Sequence, residues 1–426
     1  MKSGDKAVEP CRALVSLGVC ATDLIYGIRS TNSGIKYHAV PLYLVVIGHY
    51  AHRLLGKRPW GTLHSGRAPI PYCYPELEEM AGRIVLRYLI RAARLPFISA
   101  SSLPAIIGSL SAFYEKKAFD PILFLLTIIG VGFVHIAANL FNEFYDYLSG
   151  ADAHNKQGIF PFTGGSRVLV EGKIPAIVVF WGALAAVIIS GIIGIYLTFQ
   201  SGVWVMILYL VGLLTGVLYV HPHLSLVNLG LGELIIGLDY GLLSALGAYY
   251  VQAETFSISC AMVSLPIALA VTSILLINEF PDYAGDKIVT KLTLVVRIGK
   301  KKASILLTCL LALLLVIIIL NVLFAFTSIW SLTGLFVLPL FINAALHVLR
   351  YHDDSSRILP AILSIITGHL FIGIYYAFAC LSLENTVLIN FLLYISIILI
   401  QICSMKRLGT FVQIKCFYFD RKMMAQ

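Results

Sequence analysis

A succession of long apolar segments narrows the fold of this chain more than any other feature. Residues 303–325, for instance, carry no charged side chain, and about 18 apolar residues already suffice to cross a bilayer as a helix. In hydrocarbon every backbone N–H and C=O must be satisfied within the protein, which leaves helices and closed barrels. The apolar runs are continuous and do not alternate, so a β-barrel is excluded. The chain is 59% hydrophobic and only 12% charged, with mean hydropathy +0.88. A soluble domain carries about twice that charged fraction. The reading is an all-α polytopic membrane protein with expected spans at residues 97–114, 121–144, 174–197, 203–220, 229–251, 258–279, 303–325, 328–348, 358–381 and 385–403. Residues 1–85 read as an N-terminal extension, residues 86–403 as the transmembrane domain and residues 404–426 as a basic cytoplasmic tail.

The net charge of +9 is distributed as membrane topology requires. Lys156, Arg167 and Lys173 follow the second expected span. Lys287, Lys291, Arg297 and the 300–302 lysines follow the sixth, and Arg350 and Arg357 follow the eighth. The opposite side shows Lys116 and Lys117. By the positive-inside rule the loops after even-numbered spans face the cytoplasm. The basic residues thus answer to a membrane and imply no nucleic acid. The expected location is the plasma (cell inner) membrane, with multiple passes. The eight cysteines show no CxxC and no metal-ligand spacing, and read as apolar fillers or free thiols.

Two acidic clusters end apolar segments on that cytoplasmic side. Asn139, Asn142, Glu143 and Asp146 stand three or four residues apart and share one helix face. Asn278, Asp282 and Asp286 repeat the spacing 140 residues on, with Glu279 beside them. Such oxygen-only donor sets suit Mg²⁺, which is usually held by a few carboxylates together with substrate phosphates. The cations beside the first cluster make sense around a polyanion. Mg²⁺ at Asp146 and its neighbours would bridge to a diphosphate, Arg167 and Lys156 would take other phosphate oxygens, and Gly164 and Gly165 would let backbone N–H groups approach. Pro281 is expected to bend the end of the sixth span. Glu233 and Asp239 lie inside a span, where ionisable groups are functional candidates by default. His135 reads as a core histidine.

The clusters, the Gly164-Gly165-Ser166-Arg167 stretch and the Thr293 to Gly299 stretch resemble the UbiA-type intramembrane prenyltransferases, most closely the dihydroxynaphthoate polyprenyltransferase branch of menaquinone synthesis. Leu231-Gly-Glu-Leu and Gly247-Ala-Tyr-Tyr-Val-Gln252 are also similar to that branch. The family's Asn-Asp-x-x-Asp motif reads Asn142-Glu143-x-x-Asp146, and its Asp-x-x-x-Asp motif matches Asp282 and Asp286. The resemblance implies a bundle of nine or ten transmembrane helices around a central cavity, capped by cytoplasmic loops and open laterally to membrane lipid. It implies Mg²⁺-dependent transfer from a polyprenyl diphosphate to an aromatic acceptor, with Asn142, Asp146, Asp282 and Asp286 catalytic. The expected metal ligands are Asn142, Glu143, Asp146, Asp282 and Asp286. The expected substrate contacts are Asn139, Lys156, Arg167, Asn278, Lys291, Arg297 and Glu233. The alternatives are the same fold acting on an ether-lipid glycerol phosphate, a haem or another aromatic ring, and a secondary transporter with paired acidic sites.

Overall fold

The structure is a computed structural model that describes residues 75–155, 157–160, 162–220 and 225–381. Lys156, the stretch His221-Pro-His223, the expected span at 385–403 and the basic tail lie outside the described residues. The chain divides into two units, Met1–Val85 and Leu86–Gln426, and the account below concerns the second.

The described part is all-helical. In chain order the helices are α1 (Pro75–Ala92), α2 (Ser99–Lys116), α3 (Pro121–Ser149), α4 (Ala151–His154), α5 (Ala176–Ser201), α6 (Trp204–Val220), α7 (Gly232–Ala253), α8 (Ile258–Ile288), α9 (Leu294–Ile298), α10 (Lys300–Leu323), α11 (Ile329–Tyr351) and α12 (Ser355–Leu381). Among the described residues seven are long and apolar enough to cross a membrane: α3, α5, α7, α8, α10, α11 and α12. The count is eight if the pair Gly82–Phe97 and Ser99–Lys116, bent by 54°, is one broken span. α6 is apolar but shorter. The chain is therefore an integral, multi-pass membrane protein.

Burial separates the helices into two kinds. The spanning windows of α8 and α12 are 72% buried, those of α3 and α5 only 28%. The first two form the centre; the others leave most of their windows less buried, facing outward or into internal cavities. A core cluster joins Ile267, Leu276 and Phe280 of α8 to Leu307 and Leu314 of α10, Phe341 of α11 and Ile362 and Tyr375 of α12.

Lipid supplies no hydrophobic drive between helices, so close backbone approach matters. Gly108 of α2 sits against the Ala245 carbonyl of α7, and Gly237 and Gly241 of α7 sit against Thr272 and Ala268 of α8. A methyl group at any of these three glycines would overlap its neighbour. The Gly237-xxx-Gly241 face of α7 is thereby fixed on α8. Residues Gly237–Leu243 form a π-helical turn, a local widening that recurs at functional sites.

Two helices run on past their apolar segments. α3 continues through the first acidic cluster to Ser149, and α8 through the second to Ile288. Pro281 does not end α8, which remains helical on both sides of it. The expected span ends at residues 144 and 279 thus fall about one and a half and two and a half turns before the helix ends, because side chains that face an internal cavity need not leave the helix.

Candidate active site

Both acidic helix ends line one small polar cavity of about 80 Å³. Asn142 and Asp146 enter it from α3, Asn278, Asp282 and Asp286 from α8, and Asp152 from α4. Arg94 and Lys291 are the cations in its wall among the described residues. Asn142 donates to Asp146 at 2.8 Å, and the Lys291 ammonium pairs with the other Asp146 oxygen at 2.6 Å. Asp282 accepts from Asn155 at 2.7 Å and from the Gly164 backbone N–H. The interhelical loop is therefore tied directly onto the second cluster. Gly285 allows this, since a Cβ there would lie 3.0 Å from the Asn155 backbone.

Electrostatics shows how crowded the charges are. Burial, with Asp146 and Glu143 nearby, pushes the Asp152 carboxyl up to about 7. Burial opposes the charge on Lys291, but Asp146 and Asp286 outweigh it and raise its pKa above the ordinary lysine value. Five carboxylates, Glu279 among them, and two cations leave the cavity short of positive charge. Asn278 Oδ1 is buried without a partner at this wall. An all-oxygen, electron-rich donor set with a free carbonyl oxygen fits a hard divalent cation. Among the described residues no three His, Cys, Asp or Glu side chains are gathered closely enough to hold a metal alone. An ion here would need further oxygen donors from water or from substrate phosphates.

The remaining expected residues separate cleanly. Glu143 is buried and occupied: both its oxygens accept from Ser166, one from the backbone N–H at 2.9 Å and one from the hydroxyl. It holds the loop and does not line the cavity. Glu233 accepts from the Leu294 backbone N–H at 3.1 Å, and Glu279 from that of Val295 at 3.3 Å. These two carboxylates pin the start of α9 over the site. Arg167, with a left-handed φ of 60°, reaches the Asn155 carbonyl and Glu171. Arg297 is clamped on the Asn228 and Leu292 carbonyls. Neither arginine lines the polar cavity; both secure loops around it.

Arg94 is the site residue that sequence reasoning missed. It reads as the last member of a basic stripe with Arg83, Arg87 and Arg91. In the structure it takes a left-handed conformation, φ 51° and ψ 45°, at the bend before Leu95–Phe97. Such a conformation costs an arginine about 1–3 kcal/mol, and here it turns the side chain into the cavity wall. Pro96, which cannot continue a regular helix, was the available signal. Arg91 stays behind on the loop, over the Phe160 ring at 4.5 Å and beside Glu171 at 3.8 Å.

A second, larger chamber of about 290 Å³ lies deeper. It shares Arg94, Asn142, Phe162, Tyr219, Leu275 and Asn278 with the polar cavity, so the two have a common wall. The chamber is formed by α3, α5, α6, α7 and α8 and is mostly aliphatic, with Asn139, His135 and Asp239 among its lining residues. Gln252, by contrast, lies at the far end of α7, where it brackets the Asp120 backbone at 2.6 and 3.2 Å.

Residues 101–366 match the UbiA prenyltransferase family. A 1,4-dihydroxy-2-naphthoate octaprenyltransferase of Bacillus subtilis is 31% identical over 210 residues, which is 49% of this chain and 65%, just under two thirds, of that protein. A protein of the same description from Escherichia coli is 28% identical over 271 residues, 63% of this chain and 85% of that one. Among solved structures, a UbiA homolog from Archaeoglobus fulgidus bound to DMAPP and Mg²⁺ aligns at 14% identity with a TM-score of 0.46, over 69% of this chain and 99% of that one.

Proposed function

The chain belongs to the UbiA prenyltransferase family, and from that premise we propose that it transfers a polyprenyl group from an allylic diphosphate to an aromatic acceptor, 1,4-dihydroxy-2-naphthoate. The observation that carries this is the common wall between a charged cavity, built from both acidic helix ends, and an apolar chamber inside the membrane. A polyprenyl diphosphate needs both environments within a few ångströms of each other. The choice of acceptor is supported by the Bacillus and Escherichia relatives, both described as 1,4-dihydroxy-2-naphthoate octaprenyltransferases.

In this reading the diphosphate lies in the polar cavity against Arg94 and Lys291. Mg²⁺ would be held by Asp146, Asp282 and Asp286, with Asn142 and Asn278 beside them, and would supply Lewis-acid neutralisation of the phosphate oxygens. The allylic C–O bond breaks with its electron pair going to the diphosphate oxygen. The two cations are already in place to stabilise that charge, which is the pre-organised electrostatics that speeds such steps. An electron-rich ring carbon then forms the new C–C bond to the allylic carbon. The ring substituent at that carbon leaves as a proton or, from a carboxylated position, as carbon dioxide. Tyr219 and Phe162 lie at the wall between the cavities, where aromatic faces favour a carbocation and exclude water.

We place the enzyme in the plasma (cell inner) membrane with the site on the cytoplasmic side, because the basic loops surround it. We also count α2 and α6 as spans, which makes nine in the described residues. α6, at 17 residues, is roughly 25 Å long and spans by local thinning of the bilayer.

The test is mass spectrometry of products from purified protein given one polyprenyl diphosphate and several acceptors. Prenylated naphthoquinol is expected, with diphosphate release abolished in Asp146→Ala and Asp282→Ala and by chelator. Full turnover in either variant, or in chelator, would refute the site assignment.

A further inference from the structure

The mid-membrane wall of the apolar chamber is not matched to hydrocarbon. His135 of α3 is 2% exposed, and neither ring nitrogen has a partner. Its ring lies 5.5 Å from that of Tyr240, tilted by 34°. One residue from Tyr240, Asp239 also lines the chamber, and its carboxyl accepts from Thr215 at 2.6 Å. The π-helical turn makes this possible. Gly237 and Gly241 lock one face of the turn on α8, while Asp239 and Tyr240 line the chamber with His135. Asn139, one turn along α3, donates to the His135 carbonyl at 3.0 Å and not to its ring. Asn142 stands seven residues on, so His135 lies roughly 10 Å deeper than the polar cavity at a rise of about 1.5 Å per residue.

A buried polar group without a partner is unfavourable until something supplies one. A polyprenyl tail cannot supply one, since it is hydrocarbon throughout. A tail of several isoprene units also outgrows 290 Å³, so only its first part enters the chamber at the shared wall, the rest lies in lipid, and the deeper wall is left to the other substrate. We propose that the His135–Tyr240–Asp239 wall binds the aromatic acceptor through its ring hydroxyls. Tyr240 faces the ring π-system, and His135 hydrogen-bonds a hydroxyl. Asp239 gives the same wall a second polar position. This inference rests on the prenyl-transfer reading for the identity of the ligand. It adds the residues that tell a hydroxylated ring from a plain one. A pocket built to hydrogen-bond a hydroxyl rejects the analogue lacking it strongly, because its own polar groups are then left unpaired.

The experiment compares binding of 1,4-dihydroxy-2-naphthoate and of 2-naphthoate, without prenyl donor and under anaerobic conditions. The full chain is placed in nanodiscs, as wild type and as His135→Phe, His135→Gln and Asp239→Leu. In the wild type the hydroxyls are expected to tighten binding at least tenfold. In His135→Phe and in Asp239→Leu the preference falls to twofold or less, and His135→Gln keeps most of it. Binding of 2-naphthoate reports that each variant is folded. An undiminished hydroxyl preference in both His135→Phe and Asp239→Leu, or no saturable binding to the wild type, overturns the proposal. If binding behaves as expected but no acceptor is prenylated, the chemistry of the preceding section fails and the pocket stands.

Discussion

At the residue scale, Glu143 and Asp146 show how one helix turn divides labour. Glu143 is consumed by Ser166, while Asp146 sits in the cavity wall, shared between Asn142 and Lys291. Glu143→Gln is expected to lower stability by about 1–3 kcal/mol through the lost charged hydrogen bonds, read as a lower Tm, while turnover stays within a few-fold. Asp146→Asn keeps the fold and loses turnover by at least about 100-fold. Equal turnover losses in the two variants would contradict the division. Asp152 gives a pH prediction for the metal-free protein. Its carboxyl is raised from 3.8 to about 7 by burial and by Asp146 and Glu143, so the fold disfavours its ionised form. The folded state binds the extra proton between these values, and stability falls as pH rises through about 7. Asp152→Asn makes that slope shallower, which Tm measured from pH 5 to 8 will show.

At the element scale, placement of chemistry depends on where helices touch and where they are distorted. α7 packs on α8 through Gly237 and Gly241, and the wide turn between them carries Asp239 and Tyr240. Gly241→Val forces a branched side chain into Ala268 and is expected to cost about 1–3 kcal/mol by overpacking. Thermal unfolding in detergent measures it, and an unchanged Tm would mean that α7 and α8 do not meet as described. The α1–α2 bend follows the same logic: the left-handed Arg94 ahead of Pro96 converts a surface stripe into a cavity wall.

At the scale of the whole molecule, the central pair α8 and α12 is surrounded by helices that face lipid. The loops carrying the charges gather at the end where the acidic clusters lie. The proposed topology predicts labelling by sidedness. In a cysteine-free background, a cysteine replacing Lys117 reacts with a membrane-impermeant thiol reagent added outside intact cells. One replacing Lys301 reacts only after permeabilisation. The opposite pattern would place the site on the outer face.

The apolar runs, the helical spacing of Asn142, Asp146, Asp282 and Asp286, and the charge of the loops were legible in the sequence because each is a local, periodic property of the chain. They determine that the protein is a helical membrane bundle and that two acidic helix ends exist. The extent of those helices was less legible, because a carboxylate that faces an internal cavity does not mark a helix end. Whether a given cation is spent on a carbonyl, as Arg167 and Arg297 are, or lines the cavity, as Arg94 and Lys291 do, was decided by tertiary structure alone. So was the change of His135 from an unremarkable core residue into an unpaired group on a chamber wall. The reason is that a hydrogen-bond partner 60 or 150 residues away leaves no mark on the local sequence, whereas a membrane leaves its mark on every turn.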